Sequence, residues 1–128
     1  MSMRKVVLAI DDNLMQLDMF KKMLGAKYDV HTASSASTAL NFLNSNQADV
    51  ILLDIEMPNI SGFHFLYDIR RIPSYMNVPI IIVSGTIGQE FADQARQSSA
   101  FDVLHKPVKH DLLIETIEKA IAAEAKRP

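Results

Sequence analysis

The chain contains no cysteine, which excludes a disulfide framework and any thiolate metal site and is compatible with a reducing cytosol. It also lacks an apolar run approaching the roughly 18 residues of a membrane span. Its opening Met-Ser-Met-Arg-Lys carries no apolar stretch of the kind that directs secretion. Charge of one sign is missing too. The net charge is −2, and the lysines and arginines are scattered rather than striped, which argues against nucleic acid as a direct ligand. No repeat, low-complexity tract or internal linker interrupts the sequence. What is present is ordinary globular composition, 48% hydrophobic and 22% charged, enough for a sizeable core. The 128 residues suit one domain. The expectation is a single cytoplasmic domain spanning residues 1–128, with no membrane contact.

Apolar, β-rich runs occur at residues 6–10, 28–33, 50–53, 79–83 and 101–104. Helical spacing fills the intervals. Leu14, Leu17, Phe20 and Leu24 recur at three- and four-residue steps before Gly25, a C-cap candidate. A second helix follows Ser34 and Ser35, either of which could cap it. A third starts near Ser61 and directs Phe65, Leu66, Ile69 and Ile72 inward, with Arg70 and Arg71 at its end, where cations favour the helix dipole. A fourth, weakly amphipathic, runs from about Gln89 to Ser98. The last, from about Lys109 to Ala125, places Leu112, Leu113, Ile117 and Ile121 on one face. Met15, Met19 and Met23 form a stripe read here as adaptable core filling. His31, His64, His105 and His110 are too dispersed for a metal site, although His105 adjoins Lys106 and its charge at mildly acidic pH bears on that residue.

Alternating strands and helices, with strands that are apolar throughout, predict a parallel sheet covered on both faces. Five such units suit an α/β, doubly wound, flavodoxin-like sheet of order 2-1-3-4-5, which binds ligands beyond the carboxyl ends of its strands. Each of four strands then delivers polar groups to that edge: Asp11 and Asp12 after the first, Asp54 after the third, Ser84 after the fourth and Lys106 after the fifth. Singly, each is a common helix-capping, turn or solvated residue. Jointly they describe a site. Three carboxylates without His or Cys suit a hard cation such as Mg²⁺. Asp54, nearest the middle of the sheet, is the candidate nucleophile toward phosphorus. Asp11 and Asp12 are the candidate metal acids, Lys106 the fixed positive charge and Ser84 a hydrogen-bond donor.

These residues, with the segment Val-Ile-Leu-Leu-Asp-Ile-Glu-Met-Pro around Asp54, Gly62, Ser84–Gly85 and Lys106–Pro107, resemble the receiver domain of two-component response regulators, in the stand-alone, chemotaxis-regulator-like form. The likeness extends over a core of about residues 5–122. It implies a phosphorylation-activated switch in which Asp54 accepts a phosphoryl group from a sensor histidine kinase or a phosphotransfer protein, with Mg²⁺ required. It further implies that the Glu56 main-chain carbonyl is a metal ligand, that Ser84 moves toward the phosphate, and that the Lys106–Pro107 bond is cis. Signalling then passes to a downstream protein through the fourth helix, fifth strand and fifth helix, or by phosphorelay. The likeness implies an aromatic residue three positions before Lys106, where this chain has Val103; its nearest aromatic in that run is Phe101. The loop and helix after Ser84 are the alternative route for coupling. Glu56 and Thr86 occupy the variable positions that tune phosphoryl lifetime in that family.

Three other readings compete. A small Mg²⁺-dependent phosphohydrolase of the haloacid-dehalogenase type also uses a strand-ending Asp, a Ser or Thr and a Lys, but its acidic pair follows the nucleophile. A receiver-like scaffold that is never phosphorylated would not need the full set of acids, Ser and Lys. A flavodoxin-like FMN protein would need a phosphate loop where Asp11 and Asp12 stand.

Overall fold

The computed structural model describes residues 4–57, 61–85 and 88–127. Five strands, β1 Val6–Ile10, β2 Asp29–Ala33, β3 Val50–Asp54, β4 Ile80–Ser84 and β5 Asp102–His105, form one sheet in the order β2-β1-β3-β4-β5. Every pairing is parallel. The described helices are α1 Leu14–Leu24, α2 Ala36–Ser45, α3 Gly62–Arg70, α4 Gln89–Gln97 and α5 His110–Ala125, with a 3₁₀ turn at Pro73–Tyr75. The doubly wound topology predicted from the sequence is the one observed.

Successive strand residues point to opposite faces, and here both faces are apolar because both are covered. Leu8, Ile10, Ile51, Leu53, Ile80 and Ile82 pack with Leu43 of α2, Phe65, Leu66 and Ile69 of α3 and Ala95 of α4. Val7, Ala9, Val50, Leu52, Ile81 and Val83 pack with Leu17, Phe20 and Leu24 of α1 and Leu113, Ile117 and Ala120 of α5. Burying each large aliphatic side chain contributes roughly 1.5–3 kcal/mol, so the two layers are the main source of the fold's stability. At the start of α3, a Cβ on Gly62 would lie 2.4 Å from Ile55 Cα and 2.6 Å from Ile55 O. Only glycine lets the helix approach the backbone that follows Asp54 so closely.

The structure corrects several expectations of detail. Leu14 and Leu112, expected in the core, are 70% and 46% exposed. Met15 and Met19 are exposed rather than core filling, and Met23 packs at the margin of the α1–α5 layer. Leu17, Phe20 and Leu24 define the buried side of α1, and at about 100° per residue Met15 and Met19 fall away from it. Gly25 does cap α1, but in a right-handed conformation with φ −63°, so its backbone freedom is not used. Ser35 is the cap of α2, its Oγ accepting from Thr38 N–H. Arg70 and Arg71 do close α3, as its last residue and its C-cap, and Arg70 also donates to the carbonyls of Tyr75, Val78 and Ser99.

Candidate functional site

The polar site is built by continuing the sheet past its apolar part. Asp11 N–H donates to Ala33 O at 3.1 Å, so Asp11 extends β1 by one residue beyond its last paired position. Asp54 is the final residue of β3 and Ser84 the final residue of β4. Lys106 N–H donates to Ser84 O at 2.8 Å, which fixes the lysine beside the end of β4. The Lys106–Pro107 bond is cis, as the resemblance implied.

Asp11 and Asp54 are almost completely buried. The Lys106 ammonium lies 3.1 Å from Asp11 Oδ2 and 3.4 Å from Asp54 Oδ2. The other oxygen of each acid is held by backbone: Asn13 N–H donates to Asp11 Oδ1 at 2.9 Å, and Glu56 N–H to Asp54 Oδ1 at 2.9 Å. Asn13 in turn caps α1, its side chain accepting from Met15 N–H and Gln16 N–H. That role was missed in the sequence, although an Asn directly before a helical run is a recognised start signal. Asp12 is exposed, yet one carboxylate oxygen from each of Asp11, Asp12 and Asp54 lies within 4.8 Å of the others.

Electrostatics follow from this geometry. Burial raises the Asp54 carboxyl above its ordinary value and the Asp11 charge adds to the rise; the Glu56 amide and the Lys106 ammonium oppose them without cancelling them. For Lys106, burial acts downward, but the hydrogen bond to Asp11 and the charges of Asp11 and Asp54 outweigh it and hold the ammonium above its ordinary value. Three carboxylates facing one ammonium leave negative charge in excess. An all-oxygen, net-negative cluster of this size suits a hard divalent cation.

Ser84 and Glu56 add a second layer. The Ser84 hydroxyl donates to Glu56 Oε1 at 2.8 Å, and Gly85 N–H donates to the same oxygen at 2.8 Å. On its other side Gly85 O meets His105 Nε2 at 3.3 Å. Thr86 lies outside the described residues. Beyond Ser84 a groove of about 450 Å³ opens between α4 and β5, lined among others by Phe91, Phe101, Val103 and His105. Phe101 and Val103 thus share one surface, both partly exposed, and the strand offers no buried aromatic near Ser84.

Among the described residues no helix is long and apolar enough to cross a membrane. A family model for the response regulator receiver domain matches residues 7–118. The chain is 30% identical over 123 residues to the sensor histidine kinase RcsC of Salmonella typhimurium, covering 95% of this chain and 13% of that protein. It is 39% identical over 95 residues to the DNA-binding transcriptional regulator NtrC of Proteus hauseri, covering 73% of this chain and 20% of that one. The chain therefore spans a fifth or less of these two relatives. Among solved structures, a CheY-like receiver domain protein from Methanospirillum hungatei superposes with TM-score 0.88 at 25% identity, covering 96% of this chain and 98% of that one. The chemotaxis protein CheY4 of Vibrio cholerae superposes with TM-score 0.86 at 29% identity, covering 91% and 98% respectively.

Proposed function

The chain belongs to the response regulator receiver domain family, and from that premise we propose that it is a phosphorylation-driven switch in which Asp54 is the acceptor. The donor is the phosphohistidine of a sensor histidine kinase or of a phosphotransfer protein. A carboxylate oxygen of Asp54 attacks phosphorus, an acyl P–O bond forms, and the P–N bond breaks to release the imidazole. Charge in such a transition state spreads over the equatorial phosphoryl oxygens, so catalysis consists of positioning and neutralisation. Lys106, within reach of Asp54 Oδ2, supplies a fixed positive charge on one side. Asp11, Asp12, Asp54 and the Glu56 main-chain carbonyl would hold Mg²⁺. When bound, the ion neutralises the carboxylates and orients a phosphoryl oxygen. Ser84 donates its hydroxyl to the transferred group.

The observation that carries this reading is the Lys106 ammonium bridging two buried carboxylates at the ends of different strands. A structural ion pair would need one acid; a second buried acid raises the cost of the site unless a further cation or a phosphoryl group completes it. The reading makes the chain a phosphoacceptor rather than an enzyme that turns over a separate substrate. Its signal passes to a protein partner across the α4–β5–α5 side or onward by phosphorelay. The phosphohydrolase alternative finds no support in the family match, and its acidic pair would stand on the wrong side of the nucleophile. Incubation with acetyl phosphate and Mg²⁺ tests the proposal: intact mass should rise by one phosphoryl group, and Asp54→Asn should abolish the gain. A gain that persists in the variant would remove Asp54 from the role.

A further inference from the structure

Glu56 stands two residues after Asp54, on the loop leaving β3, and reaches across to the end of β4. Two donors converge on one of its oxygens, the Ser84 hydroxyl and the Gly85 amide, both at 2.8 Å. These are charge-assisted hydrogen bonds, about twice as strong as neutral ones. A phosphoryl group on Asp54 is itself an anion whose oxygens call for donors at the same edge of the sheet. Lys106 can serve it from the β5 side. From the β4 side, among the described residues, the Ser84 hydroxyl and the Gly85 amide are donors that Glu56 already engages. Two anions then compete for one seat.

We propose that Glu56 is an internal competitor for that seat: its carboxylate holds Ser84 and Gly85 in the unphosphorylated chain and must be displaced when Asp54 is phosphorylated. The inference rests on the phosphoacceptor reading and adds a gate to it. Glu56 acts through Ser84 and Gly85, so it is a positioning residue and not a catalytic one. The gate also supplies a route for coupling in a chain with Val103 rather than an aromatic beside the site. Release of Glu56 frees the start of the loop after β4, which His105 of β5 grips from the other side through Gly85 O. The event at Asp54 is thereby transmitted to the α4–β5 groove.

The test is a double-mutant cycle on the full chain at saturating Mg²⁺, reading the affinity for beryllofluoride, a phosphoryl mimic. Glu56→Ala should tighten binding about tenfold and Glu56→Gln by less, because a neutral amide oxygen still accepts both bonds but more weakly. In a Ser84→Ala background most of the Glu56→Ala gain should vanish. In the metal-free protein, Glu56→Ala should also speed hydrogen exchange at the Gly85 amide, which Gln should largely preserve. Unchanged affinity in both Glu56 variants overturns the gate, and so does an equal gain with and without Ser84, which would mark simple charge repulsion. If no form binds beryllofluoride, wild type included, the phosphoacceptor reading fails and the gate fails with it. Binding that ignores the Glu56 variants refutes the gate alone.

Discussion

Lys106→Met isolates the electrostatic core of the site. The substitution keeps the length and most of the volume of the side chain and removes the ammonium that lies 3.1 Å from Asp11 and 3.4 Å from Asp54. Those acids are 1% and 3% exposed, so they lose their cation without gaining water. Removing one partner of a fully buried pair costs about 3–5 kcal/mol. The Lys106 side chain is 24% exposed, which screens its attraction and lowers the expectation to about 2–3 kcal/mol near neutral pH in the presence of a chelator. The pH dependence has a definite sign. Asp54 already titrates above its ordinary value, so its ionised form costs stability above the folded midpoint, and that cost vanishes as pH falls below the unfolded one. Losing Lys106 removes an influence that lowers Asp54, so the cost grows and the variant should regain ground on mild acidification. Mg²⁺ should narrow the gap as well, by stabilising the variant more than the wild type. Urea denaturation across pH, with chelator and with Mg²⁺, reads all three effects. A variant within about 0.5 kcal/mol of wild type in chelator, with the same response to pH and Mg²⁺, would refute the picture of a charge-crowded site.

Two further predictions concern the scaffold that positions the site. Gly62→Ala should cost about 2–3 kcal/mol in urea denaturation, because the new methyl meets the Ile55 backbone rather than a yielding side chain, and it should slow phosphoryl acceptance by displacing the loop after Asp54. Near-wild-type stability would show that α3 does not need that close approach. Arg70→Met should cost about 2 kcal/mol and loosen amide exchange around Tyr75 and Ser99, since the guanidinium donates to three main-chain carbonyls and to Ser99 Oγ. Burial also holds that guanidinium below its ordinary value. A loss confined to α3 would leave Arg70 with its place in the last helical turn as its whole role.

The central strands β1, β3 and β4 were legible because burial on both faces leaves them almost wholly apolar, and Val50 to Leu53 or Ile80 to Val83 admit little else. Each strand then ends where its polar residue begins, so Asp11, Asp54, Ser84 and Lys106 could be assigned to one edge before any coordinates. Boundaries moved by a residue: Asp54 and Ser84 belong to their strands, and Tyr28 precedes β2. Leu14 and Leu112 misled because apolar spacing specifies a helix face only approximately. Leu112 adjoins Leu113, and a step of about 100° leaves room in the α5 layer for one of them. The link between Glu56 and Ser84 was not legible, since 28 residues separate them and only the adjacency of β3 and β4 brings their loops together. The fourfold binding of Arg70 is hidden in the same way, its Ser99 partner being 29 residues distant.

Chemical localisation of the phosphoryl group tests the central claim most directly. An aspartyl phosphate is reduced by borohydride to homoserine, which peptide mass spectrometry places in the sequence. After treatment with acetyl phosphate and Mg²⁺, homoserine is predicted at position 54, and in neither Asp11 nor Asp12. Homoserine at either of those two, or at no position in protein that has gained phosphoryl mass, would contradict the account.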